Sequence, residues 1–233
     1  MTNAGRVSAV VGAMSAVLLL AVPQLNSSAA DIRPTARVNP DWWSHVQRGV
    51  AAHEYHPRMT HAGLQAANRA HGLRTYFDGS GIRVHDRTAP ANTELVGLSL
   101  VEMGRHDGLR PVKAGTVHQV QDRVEIRRAG LTEWFENSAR GLEQGFTIET
   151  RTEGHAPLVL DLAVERARAR LRGNTIELLT DAGRRLEYGK LLAEDSRGRV
   201  LASRLEVPSP HQVRLVIEDA DADQHRPSTA AAR

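Results

Sequence analysis

Residues 124–148, VEIRRAGLTEWFENSARGLEQGFTI, alternate apolar and polar side chains in three successive runs separated by turn residues. Val124 and Ile126 alternate with Glu125 and Arg127, and Ala129-Gly130 makes the first turn. Leu131 to Phe135 forms the next run. Asn137-Ser138-Ala139-Arg140-Gly141 turns again, and Leu142, Gln144, Phe146 and Ile148 then alternate with Glu143, Gly145 and Thr147. Neighbouring side chains of an extended strand point to opposite faces, so a period of two describes a sheet with one face in a core and the other in water. An amphipathic helix needs a period of 3.6 and cannot use this pattern. Gln144 falls on the inward set. An unpaired buried amide is costly, so a hydrogen bond to a neighbouring backbone is expected there.

The same grammar extends in both directions. Asp78-Gly79-Ser80-Gly81 separates Arg74–Phe77 from Ile82–His85, which predicts a hairpin. Leu95–Val101 and Val117–Val120 are further strands, with a loop over 104–108. Downstream, Leu158, Leu160, Leu162 and Val164 alternate, and Gly173-Asn174 joins Ala169–Leu171 to Thr175–Thr180. Asp181-Ala182-Gly183 leads into Leu186–Tyr188 and then Leu191–Glu194. Asp195-Ser196-Arg197-Gly198 leads into Val200–Leu205, Pro208-Ser209-Pro210 interrupts the chain, and Gln212–Ile217 closes it. Short strands at this spacing predict a mainly β fold, an antiparallel sandwich-like domain over 41–218. The helical composition of ERARARLR makes a helix the alternative over 161–172.

The N-terminal thirty residues read as a leader. Arg6 precedes an apolar run from Val7 to Val22, Pro23 and Asn26-Ser27-Ser28 break it, and Ser28-Ala29-Ala30 presents small residues for cleavage after Ala30. The run is short for the roughly 20 residues that span a bilayer, and no later stretch would cross one. The expected location is therefore extracytoplasmic, secreted or in the cell envelope. Residues 31–40 are a polar lead-in. Asn39-Pro40-Asp41 begins a short amphipathic helix over about 41–53, with Trp42, Trp43, Val46 and Val50 on its packing face. Residues 219–233 lack large apolar side chains and read as a disordered tail.

Composition removes several chemistries. The chain has no cysteine, so disulfides, thiolate metal sites, cysteine nucleophiles and lipid attachment at cysteine are all absent. Of 30 basic residues only Lys113 and Lys190 are lysines, and the net charge is only +3. Arginines interleaved with acids describe a mixed solvated surface and no nucleic-acid stripe. His45, His53, His56, His61 and His71 lack the spacing of a metal site and are expected to face solvent. Asp219, Asp221 and Asp223 have no glycine or distal glutamate to close a calcium loop. Gly79-Ser80-Gly81 is neither a phosphate loop nor a nucleophile elbow. No metal and no cofactor are implied.

Two groups of residues in the central stretch are chemical candidates. Glu133, Glu136 and Glu143 lie near Trp134, and a retaining glycosidase holds two carboxyls about 5 Å apart. The alternation, however, assigns Glu133 and Glu143 to the outer face, as surface acids. Trp134 and Phe135 are the aromatic pair of the β region. Adjacent strand residues point oppositely, so one of the two should face outward and offer a stacking surface for a glycan.

The stretches NRAHGLRTYFDGSGIRV, VEIRRAGLTEWFENSARGLEQGFTI and LEYGKLLAEDSRGRVLASRLE together resemble the N-terminal β domain of large secreted or surface-exposed bacterial proteins. In those proteins the domain precedes FG-GAP, integrin-like or related β-propeller repeats. The resemblance covers roughly residues 42 to 219 and implies an extracellular module that is structural or adhesive, with no catalytic residues to carry over. The chain ends in a polar tail about where such repeats would begin. The function expected is a secreted, non-catalytic structural or interaction domain, with a surface polysaccharide or protein as partner. A carbohydrate-binding module and an extracellular hydrolase are the alternatives.

Overall fold

The computed structural model describes residues 14–21 (backbone), 55–89, 91–149, 152–220 and 222. The helix expected over about 41–53 lies outside them, as do the lead-in and most of the tail. Among the described residues every regular element is a strand. In the N-terminal half these are β1 (Met14–Ala21), β2 (Arg58–Thr60), β3 (Gly63–Asn68), β4 (Leu73–Phe77), β5 (Gly81–Asp86), β6 (Glu94–Arg105) and β7 (Gly108–Pro111). The central strands are β8 (Thr116–Val120), β9 (Arg123–Arg128), β10 (Leu131–Ser138) and β11 (Gly141–Ile148). The last are β12 (Leu158–Glu165), β13 (Ala167–Arg172), β14 (Thr175–Thr180), β15 (Arg185–Glu194), β16 (Val200–Leu201), β17 (Ser203–Ser209) and β18 (Gln212–Ile217).

The strands form two antiparallel sheets. The first runs β13-β14-β15-β1-β11-β10-β9-β8, with β16 beside β15. The second runs β17-β18-β12-β6-β5-β4-β3-β2, with β7 beside β6. One apolar cluster joins them. It takes Val124, Phe135, Phe146 and Tyr188 from the first sheet and Leu98, Leu160, Leu162 and Leu215 from the second. Phe77 of β4 meets Phe135 of β10 across the interior, with ring centroids 5.4 Å apart. The alternation explains the layer: Leu131 and Phe135 face this core, while Thr132 and Glu136 face away.

Most turn signals are realised. Ala129-Gly130 connects β9 to β10 with Gly130 at φ 73°. A Cβ there would touch nothing within 4 Å, so it is the left-handed backbone, and not crowding, that favours glycine. The sequence 161–172 is strand and not helix. Arg166 turns at φ 60° between β12 and β13, and Ala167 and Ala169 point inward while Arg168 and Arg170 point outward.

Four departures have local causes. The two strands expected over Leu186–Tyr188 and Leu191–Glu194 are one strand, β15, because a bulge shifts its phase. Lys190 sits at φ 62°, and the pairing with β1 moves from Val17↔Leu192 to Leu19↔Gly189. Leu186 and Tyr188 face the core before the bulge and Ala193 after it. Conversely, the single strand expected over Val200–Leu205 is divided into β16 and β17. The loop expected over 104–108 is a hairpin joining β6 to β7. Finally, the apolar run read as a leader supplies Met14–Ala21 as an interior strand, paired with β11 on one side and β15 on the other.

Candidate functional site

Trp134 and Phe135 point to opposite sides of β10, as the alternation requires, yet neither forms an exposed platform. Phe135 is core, 1% exposed, and Trp134 is 6% exposed on the opposite face. The Trp134 ring lies on Gly145 of the adjacent β11. A Cβ on Gly145 would stand 2.0 Å from a ring carbon, so glycine is needed for the ring to lie there. The Arg123 guanidinium sits 4.2 Å from the ring centroid on the indole, and the same arginine donates to Glu136 Oε1 from Nε at 2.9 Å. The expectation of an outward-facing aromatic is corrected accordingly: its direction is right, but packing and a cation–π contact occupy the surface.

The carboxylates also separate. Glu133 lies on the core side of β10 and is fully buried, which corrects its assignment to the outer face. Arg128 Nη1 donates to Glu133 Oε2 at 2.8 Å, and Gln144 Nε2 donates to Oε1 at 2.6 Å. Tyr188 Oη donates to Gln144 Oε1 at 2.8 Å. Gln144 thus satisfies its amide with two side chains, where a backbone partner was expected. Arg128 continues the chain to the second sheet, donating to the Gly79 and Ser80 carbonyls at 3.2 Å and to Lys113 at 3.1 Å. Burial raises the Glu133 pKa against the opposing pull of Arg128 and Gln144. Burial, with the Glu133 charge, pushes the Tyr188 phenol well up. The group is closed to solvent, so its arrangement binds the sheets together and leaves no room for a substrate at Glu133. Glu136 and Glu143 face each other across β10 and β11 on the outer side.

The described histidines do not converge. His71 is buried, not solvent-facing as expected, with Nε2 3.0 Å from the Ala139 carbonyl. His56 pairs with Asp122 at 3.2 Å. Among the described residues no group of His, Asp and Glu could hold a metal. Asp219, placed by sequence at the head of a disordered tail, is buried in a bidentate pair with Arg105. Arg105 also donates to the Thr152 and Ala156 carbonyls.

A cluster of arginines lies elsewhere, on the second sheet. A concavity of about 340 Å³ is lined by Arg58, Arg69, Arg74 and Arg87 over Gln65 and Ala67. Register builds it. Arg58 pairs with Gln65 across β2 and β3, and Ala67 pairs with Arg74 across β3 and β4. Residues two apart share a face, so Gln65 and Ala67 form one row beneath the guanidinium groups. Arg69 and Arg87 enter from the ends of β3 and β5. Gln65 Oε1 is buried with no hydrogen-bond partner among the described residues. No described acid lines the concavity. Beside it, Tyr76 and His85 meet edge to face with centroids 4.8 Å apart.

A second opening, of about 610 Å³, separates the β6–β7 hairpin from β9 and β10. Arg110, Lys113, Arg127 and Arg128 line it. Arg127 bonds Glu125, and Arg128 bonds Glu133. The arginines of the first concavity were not distinguished in sequence, where they read as part of a dispersed basic set. Arg58, Arg69, Arg74 and Arg87 share no motif, and pairing of β2 to β5 is what gathers them.

No family model, no curated protein and no solved structure matches the chain.

Proposed function

We propose that this chain is an extracytoplasmic, non-catalytic interaction domain of β-sandwich type, and that its contact surface is the arginine-lined concavity over β2–β4. The partner is an anionic polysaccharide of the cell surface. The carrying observation is the convergence of Arg58, Arg69, Arg74 and Arg87 on one concave patch. Guanidinium groups are planar donors suited to carboxylate and phosphate oxygens, and several together favour a repeating anionic polymer over a single ion. Two sheets sharing one core support the sandwich description. The leader pattern before Asp31 supports the location. The resemblance to N-terminal β domains of bacterial surface proteins supports an adhesive role.

The test is retention of the purified protein on immobilised polygalacturonate, with dextran as the neutral control and duplex DNA as a competitor. Binding should be specific to the acidic polymer and weaken as salt shortens the range of charge attraction. The double substitution Arg74→Glu and Arg87→Glu should abolish it while leaving the unfolding midpoint unchanged. Equal retention on dextran, retention unaffected by the double substitution, or stronger binding to DNA would overturn the reading.

A further inference from the structure

β1 is an interior strand, and its loss would divide a sheet. Its Cα partners on β11 run from Met14↔Ile148 to Leu20↔Leu142. On β15 they run from Ser15↔Glu194 to Ala21↔Glu187. Without β1, the first sheet parts into β8–β11 and β13–β16, each turning main-chain N–H and C=O groups toward a gap. Buried main-chain groups are almost always paired. One missing strand leaves β11 and β15 roughly 9–10 Å apart, about twice the spacing at which neighbours bond. The Tyr188–Gln144 hydrogen bond joins β15 to β11 past the position of β1, Tyr188 being partner to Leu20 and Gln144 to Leu18.

Removal of residues 1–30 as a leader, part of the function proposed above, would take β1 away, and the inference rests on that reading. We propose that in the processed chain the β11–β15 slot is a strand-acceptor site, filled by an uncharged apolar segment of another polypeptide that runs antiparallel to both strands. The chemistry of the occupant is that of the segment seated there, MSAVLLLA, eight residues without charge or proline. The chain holds no replacement of its own. Outside the two sheets, the longest uncharged runs after Ala30 are 42–47, 88–93 and 227–232, six residues each, and the last two contain proline. Main-chain hydrogen bonds to two edges would supply affinity, and the exclusion of charge and proline would supply selectivity.

The experiment expresses the full chain in a secreting host and takes the protein from the medium. Intact mass reports processing. Hydrogen exchange of Leu142–Ile148 and Glu187–Glu194 is then followed with and without a peptide of residues 14–21 carrying lysines at both ends. A peptide with Leu18→Pro is the control, because proline cannot donate to a ladder. The expected result is a chain beginning near Asp31 whose two strands exchange fast alone and about tenfold slower at peptide concentrations ten times Kd. The proline peptide should have no effect. A processed chain that exchanges fast throughout and regains protection with the peptide also supports the proposal; one that stays unprotected counts against it. Processed chain with both strands already slow and indifferent to the peptide would overturn the slot and leave the leader reading intact. A mass that retains residues 14–21 would overturn both, since β1 would then fill the slot in cis.

Discussion

Glu133→Ala should be the most damaging substitution in the central stretch. It leaves Arg128, whose side chain is 5% exposed, without its partner carboxylate. Removing one member of a buried ion pair costs about 3–5 kcal/mol. The Gly79, Ser80 and Lys113 carbonyls still accept from Arg128, which favours the lower half of that range. Gln144 Nε2 also loses its acceptor, an orphaned buried donor worth about 1–3 kcal/mol. The total is about 4–7 kcal/mol, or a midpoint fall of roughly 8–28 °C for a domain of this size. Urea unfolding followed by tryptophan emission measures it. The pair Arg128→Met with Glu133→Leu should lose less than either single change, because apolar replacement of both partners leaves no stranded charge. A loss below about 1 kcal/mol for Glu133→Ala, or a double variant that loses the sum of the singles, would refute the assignment of this pair as a buried link between the sheets.

Burial raises the Glu133 pKa above its ordinary 4.5, so between that value and the folded one the native state binds the extra proton. Its contribution to stability is therefore full below 4.5 and lost as pH rises through the folded value. Chemical denaturation across pH should show that slope in the native protein and a flatter one in Glu133→Gln; a contribution that grows with pH would mean that Arg128 outweighs burial. Gly145→Ala should cost about 1–3 kcal/mol by overpacking and shift tryptophan emission to the red, because Trp134 must leave its seat under Arg123; unchanged emission would argue against that seat. Asp219→Ala strands Arg105 and should lower stability by about 3–5 kcal/mol, read by thermal unfolding, whereas a residue in a free tail would give no change.

The strands were legible where one face is buried and the phase is unbroken. β14 and β18 coincide with the expected Thr175–Thr180 and Gln212–Ile217. Legibility failed where the period slips, as at Lys190, and where a carboxylate points inward, as at Glu133. Glu133 shares the phase of Leu131 and Phe135 and points inward with them, against its assignment to the outer face, and nothing nearby in sequence reveals that Arg128 and Gln144 will meet it there. The candidate site was less legible still. Arg58 and Arg87 lie on segments that are separate in sequence and neighbours only through β3 and β4.

What the sequence determined alone is therefore local. Period-two alternation with glycine and aspartate turns dictates antiparallel β structure, because side chains on a strand must alternate between core and solvent. The absence of cysteine determines that packing and hydrogen bonds hold it. Tertiary structure decided what covers each outward residue, which charges meet, and what fills the space between β11 and β15. Those outcomes depend on pairing between distant segments. A strand's own pattern says which way Trp134 points, but only its neighbours, Arg123 and Gly145, decide whether water reaches it.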